Sequence, residues 1–304
     1  MTEQPTHTSY RELVRDAEPM VVDEQHIDSA PRLGPDSLIW KFYGDYRVQL
    51  FGFQRLAGTE NAVAELAQGV TDHSIIFGDF LGRAMRTAPP VLKAVYSDEP
   101  YTWGNTVRDF HKNIKGEMPD GSRYHALNPE LFYWAHATFV DQILYCTDTF
   151  VRKLSYEEKA QIFEESKIWY RHYGVSARSQ PQTYDEFVAY WDGMLDRFAP
   201  NKTLTYATGY IRKGVPGPSS VPSPIWTVLA APLNGYIRTM IVGTLPPQLR
   251  AVCALDWDER RERRFQRAAA TVRALDPLLS RLPTRIRYAP WAAEGWQRVR
   301  KTRT

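Results

Sequence analysis

The segment Asn128-Pro-Glu-Leu-Phe-Tyr-Trp-Ala-His-Ala-Thr-Phe-Val-Asp141 constrains this chain more than any other stretch. Asn128 is an N-cap acceptor, Pro129 lacks an N–H that the first helical turn leaves unpaired anyway, and Glu130 faces the positive helix end, so a helix starts here. Within it Phe132, His136, Phe139, Val140 and Ile143 form one apolar stripe in which an imidazole replaces one hydrophobic side chain. That stripe turns His136 toward an aromatic interior.

Helical periodicity dominates the rest of the chain as well. The spacing predicts helices over 37–50, 59–68, 79–96, 98–115, 128–150, 155–173, 183–198 and 256–275, a helical pair over 223–242, and a short last helix near Trp291. Ser155-Tyr-Glu-Glu158 has the spacing of a capping box. Alternating strand-like runs are nearly absent. The fold class that follows is all-α: a single globular multi-helix domain over 36–290, preceded by an extended arm over 1–35 and followed by a basic tail over 291–304. Pro5, Pro19, Pro31 and Pro35 punctuate the arm. Gly214-Val-Pro-Gly-Pro-Ser-Ser-Val-Pro-Ser-Pro224 cannot be helical and separates two helical groups.

Bulk properties exclude several classes. At 304 residues the chain can bury a sizeable core, and 43% hydrophobic with 24% charged residues is an ordinary globular balance. A net charge of +3 gives no case for nucleic acid, because the C-terminal cations alternate with acids in Asp256-Trp-Asp-Glu-Arg-Arg-Glu-Arg-Arg264. The two cysteines, Cys146 and Cys253, lack metal-ligand spacing and suit a reducing, cytoplasmic setting. No apolar signal core precedes the body. The apolar stretch 224–245 is broken by Pro232, Asn234 and Arg238, which favours a buried helix over a spanning one and leaves peripheral membrane contact open. Gly-rich phosphate loops, Gly-x-Ser-x-Gly, His-Glu-x-x-His and Cys-x-x-Cys do not occur, which argues against nucleotide and hydrolase chemistry.

The chemistry-bearing residues cluster elsewhere. Val107, Phe110, His111 and Ile114 occupy i, i+3, i+4 and i+7, so His111 sits inside the apolar stripe of the helix before His136. Consecutive helices with a short connection pack side by side, which brings both imidazoles to one space. Arg83, Arg86 and Thr87 share one helix face, and a buried guanidinium needs an anion such as a cofactor carboxylate. Pro89 and Pro90 then interrupt that helix. His73 in Val70-Thr-Asp-His-Ser74 is a third histidine near the same helix. His125 and His172 lie among polar neighbours and read as surface residues.

Taken together, Val70-Thr-Asp-His-Ser74, Leu81-Gly-Arg-Ala-Met-Arg-Thr87, Arg108-Asp-Phe-His111, Trp134-Ala-His-Ala-Thr138 with its preceding helix start, and Gly243-Thr-Leu-Pro-Pro-Gln-Leu-Arg250 resemble the DUF2236 family. That family contains the MpaB-type oxygenases and the catalytic domain of latex-clearing rubber oxygenase, and the resemblance runs over roughly 37–288. It implies an all-helical fold holding haem b and an oxygenase that uses dioxygen on apolar, isoprenoid-like substrates. Residue by residue, it implies His111 as the metal ligand and a cofactor contact, Arg83 and Arg86 as further cofactor contacts, and Arg83, Thr87 and His136 in catalysis. Arg86 stands where rubber-cleaving relatives carry a lysine, and a guanidinium is a poor iron ligand.

The residues themselves leave two other readings open. One is a metal-free helical binding protein for a hydrophobic ligand, with both histidines as satisfied core residues. The other is a non-haem iron enzyme liganded by His73, His111 and His136.

Overall fold

A computed structural model describes residues 31–73, 80–213 and 223–302; for 80–86, 210, 212–213, 223–224 and 229 it gives the backbone without a side-chain account. The arm therefore lies outside the described residues except for its last five positions. Fifteen α-helices and one short hairpin make up the described chain. They are α1 Leu38–Phe42, α2 Tyr46–Glu60, α3 Ala64–His73, α4 Phe80–Tyr96, α5 Pro100–Phe110, β1 Lys115–Glu117, β2 Arg123–His125, α6 Pro129–Cys146, α7 Tyr156–Arg171, α8 Tyr184–Leu195, α9 Lys202–Lys213, α10 Ser223–Thr244, α11 Pro247–Val252, α12 Glu259–Ala274, α13 Asp276–Leu279, α14 Thr284–Arg287 and α15 Pro290–Thr302. The expected all-α class is the observed one.

The buried axis is α6. Asn128 accepts from the Glu130 amide at 2.9 Å, as its sequence demands, and the helix ends in a π-helical turn over Thr147–Val151. Trp134, Tyr133, Ala137, Val140 and Ile143 are shut off from solvent, because α2 covers one side of α6 and α7 another. The α7 start forms the expected capping box between Ser155 and Glu158. Outside this centre, α4 pairs with α5 and α15, and α10 packs on α2 and α12.

Two ion-pair systems pin the layers. Arg55 of α2 makes a forked pair with Asp141 of α6, its guanidinium 3.9 Å from the Tyr145 ring centre, and it also donates to the Thr244 carbonyl. Asp45 caps α2 through the Arg47 amide, and its carboxylate also holds the Arg47 and Arg287 guanidiniums, which ties the C-terminal segment to the first helices. Burial alone would raise the Asp45 carboxyl; Arg47 and Arg287 bring it below its ordinary value.

Several local expectations change. The helix expected over 37–50 is two helices, because Asp45 stops one and caps the next. The helix expected over 98–115 stops at Phe110, and its last residues enter a hairpin whose turn uses Gly121 at φ +85°. Pro89 and Pro90 sit within α4 rather than interrupting it. The pair expected over 223–242 is the single helix α10. Its first half is exposed rather than buried, while Met240, Val242 and Thr244 enter the interior. No helix among the described residues is long and apolar enough to cross a membrane.

Candidate active site

A cavity of about 280 Å³ opens between α2, α4, α5, α6 and α9. Its walls are mainly apolar. Phe53 and Ala57 come from α2, Val91 from α4, Val107 from α5, Phe132 and Phe139 from α6, and Leu204 from α9. Both His111 and His136 line it, together with Thr87. The two imidazoles that periodicity assigned to separate helices thus share one space.

His111 is the C-cap of α5, half-buried, and not a mid-helix residue. Its Nδ1 lies 2.7 Å from the Val107 carbonyl oxygen, and its ring stands edge-on to Phe132 at 5.6 Å. A carbonyl can only accept, so Nδ1 carries a proton, and in the neutral ring the lone pair is then on Nε2. This is how proteins commonly orient an imidazole that ligates a metal.

His136 occupies a different environment. It is 2% exposed, with Trp169, Tyr170 and Tyr173 around it at ring-centre distances of 4.9, 5.1 and 5.7 Å. Neither ring nitrogen has a hydrogen-bond partner in good geometry among the described residues, although the Ser166 backbone is close by. Burial pushes the imidazole down to about 3, so the ring is neutral across the physiological range. A buried, orphaned polar ring at a cavity wall is costly unless something else meets it.

The remaining expected residues divide. Thr87 lines the cavity from an exposed position on α4. Arg83 and Arg86 belong to the same helix, one turn and one residue before Thr87, and their side chains lie outside the described residues. His73 does not reach the main cavity. Its ring contacts the Lys115 carbonyl at 3.0 Å and lines a smaller neighbouring cavity of about 140 Å³, which shares His111, Ile114 and Glu60 with the first. Among the described residues no group of three His, Cys, Asp or Glu side chains could hold a metal ion, so the His73, His111 and His136 iron site is not assembled.

Two surface expectations are corrected. His125 is buried, its Nδ1 accepting from the Leu127 amide at 3.0 Å. His172 is fully buried against Tyr101, with Nδ1 2.8 Å from the Ala94 carbonyl, and burial pushes it down to about 4. His172 is buried by residues of other elements, Tyr101 and Ala94, which its sequence neighbours do not reveal. Sequence reasoning also missed Glu60, which lines both cavities, and the whole α9 wall of Thr203, Leu204 and Ala207. Neither lies in a motif that would have drawn attention.

A family model described as the ER-bound oxygenase mpaB/B'/rubber oxygenase catalytic domain matches residues 40–274, most of the chain. The chain belongs to this family. Every wall of the cavity falls within the matched span, so the oxygenase domain and the cavity are the same unit. No curated protein and no solved structure matches the chain. In an mpaB/rubber oxygenase domain the reaction needs dioxygen and an oxidisable substrate, and the enclosed apolar walls suit the second of these.

Proposed function

We propose that this oxygenase depends on haem b and acts with dioxygen on an apolar, isoprenoid-like substrate. The observation that carries the reading is His111, whose Nδ1 is committed to the Val107 carbonyl at the wall of an apolar cavity that also receives the orphaned ring of His136. That donor set fits a haem: an oriented imidazole, aromatic and aliphatic walls, and a second polar ring whose nitrogens have no partner in good geometry among the described residues.

In this reading His111 would hold the haem iron, and the Val107 carbonyl would fix its ring plane. The haem supplies the binding and activation of dioxygen that no side chain of this chain can provide. Arg83 and Thr87 are the proposed donors to negative charge developing on oxygen, and Arg86 is a proposed partner for a haem carboxylate. His136, held neutral by burial, acts as a hydrogen-bonding group and not as a cation. The phenylalanines and Leu204 exclude water and pack against the substrate chain. A reducing, cytoplasmic setting is part of the same proposal and rests on the two cysteines, Cys146 and Cys253, lacking metal-ligand spacing in the sequence.

The test is the visible absorption spectrum of protein expressed with a haem precursor, with iron analysis beside it. An intense Soret band with one iron per chain supports the reading. A colourless, iron-free protein that still binds hydrophobic dyes makes the chain a metal-free binder instead.

A further inference from the structure

The first half of α10 buries Ala230 but turns a row of large apolar side chains outward. Ile225 is 53% exposed, Val228 75%, Leu233 51% and Tyr236 46%, and Pro232 lies exposed among them. Ile225, Val228, Pro232 and Tyr236 follow i, i+3, i+7 and i+11, which places them along one side of the helix. A contiguous exposed surface of this kind marks an interaction site.

Charge identifies what covers it. Between Asp196 and Asp256 the sequence contains no acidic residue but six cations, Arg197, Lys202, Arg212, Lys213, Arg238 and Arg250, in a chain that elsewhere mixes both signs. Arg238 is exposed at the end of the apolar face, and Lys202 is exposed at the start of α9, the helix that precedes α10 and packs on it. Arg197 pairs with Glu65 and Glu130 and Arg250 with Glu262, which leaves Arg238 and Lys202 as the exposed cations of this acid-free stretch among the described side chains. An apolar face with an aromatic residue beside such cations complements a bilayer with anionic headgroups, acyl boundary against the helix and phosphate against the guanidinium and ammonium groups. A protein partner of ordinary surface would bring both charges and has no such preference.

We propose that residues 225–238 of α10 lie in the interfacial plane of an anionic lipid bilayer and dock the enzyme there without crossing it. At about 1.5 Å per residue this half-helix extends about 20 Å, too short to span and sufficient to lie flat. The same bilayer would present apolar substrates beside α9, whose Thr203, Leu204 and Ala207 form a wall of the cavity. This last point rests on the proposed apolar substrate; the docking does not.

The test is co-sedimentation of the full chain with vesicles of phosphatidylcholine and phosphatidylglycerol in equal parts, and with phosphatidylcholine alone. The wild type sediments with the anionic vesicles, and high salt weakens the association. Val228→Asp with Tyr236→Asp lowers the bound fraction by about tenfold or more, since buried apolar area drives insertion. Arg238→Glu weakens binding to anionic vesicles only. Leu278→Asp, in a separate exposed apolar region, leaves binding unchanged. All four sites are exposed, and circular dichroism verifies that the variants fold. Vesicle binding that survives the double variant, or that Leu278→Asp abolishes, overturns the assignment. So does a wild-type dimer that the double variant splits without any vesicle binding, which makes a second copy the occupant. Because haem content and turnover do not enter the assay, its failure is distinguishable from failure of the oxygenase reading.

Discussion

His111 Nδ1 lies 2.7 Å from the carbonyl oxygen of Val107, one turn back along the helix that His111 closes. The contact exists because the helix stops there: the carbonyls of a last turn have no intrahelical donor, and an imidazole at the C-cap can supply one. In the proposed function one hydrogen bond thus both closes the helix and orients the ligand ring. His111→Ala is expected to abolish stoichiometric haem while far-UV circular dichroism stays near wild type. The pyridine haemochrome of the purified variant checks it, and full haem content would move the ligand role to His136.

His136→Phe keeps the aromatic volume in the cage of Trp169, Tyr170 and Tyr173 and removes two unpartnered nitrogens. The variant is expected to retain at least part of its haem but to turn over more slowly. Complete loss of haem here, with His111→Ala unaffected, would reverse the two roles.

The same substitution carries a pH signature. The folded His136 is pushed down to about 3 whereas an unfolded histidine titrates near 6.5, so between those values the unfolded chain binds the extra proton. Stability is therefore fully present above about 6.5 and falls as pH drops toward 3. Urea midpoints of the apoprotein between pH 7 and pH 4 should fall less steeply in His136→Phe than in wild type. Parallel slopes would mean that the ring meets water or a proton acceptor in solution. His172, pushed down to about 4, adds to the slope in both proteins and does not affect the comparison.

Why some of this was readable from sequence and some was not follows from where the determining contacts lie. The start of α6 is local chemistry, Asn128 with Pro129 and Glu130, and the structure places it where the cap requires. His136 was readable as interior because its own helix supplies the apolar neighbours. The end of α5 was not, since Lys115-Gly-Glu117 is too short and too polar to read as a strand and becomes one only by pairing with Arg123–His125. The α9 wall escaped because Thr203, Thr205 and Thr208 and Gly209 weaken helical periodicity, and its burial against α3 and α10 decides the matter. His172 was misread for a related reason. Gly104 lets α5 approach so closely that a Cβ there would collide with the His172 carbonyl, and no window around residue 172 contains that information.

The Arg55–Asp141 pair gives a prediction about stability. Asp141→Asn leaves a guanidinium that is 8% exposed facing a neutral amide, and breaking one side of a buried pair typically costs about 3–5 kcal/mol. The double variant Arg55→Met with Asp141→Leu removes the charge altogether and should lose less than the single one. Chemical denaturation of the wild type, the single variant and the double variant checks it, and equal losses in single and double variants would show that the charge itself is not what matters.

Arg83 stands one helical turn before Thr87 on α4, and Thr87 lines the cavity. In the proposed function Arg83 donates to charge developing on oxygen. Arg83→Leu removes the charge and the fork of donors but keeps an apolar body of tolerable size, so folding and haem content should persist while oxygen chemistry suffers. Loss of one donor to developing charge typically lowers turnover by about a hundredfold or more. The measurement is the lifetime of the reduced protein under oxygen by stopped-flow absorption, with turnover on an isoprenoid substrate beside it. Unchanged values in both would remove Arg83 from the reaction, whereas a haem-free variant would assign it to anchoring a haem carboxylate in place of Arg86.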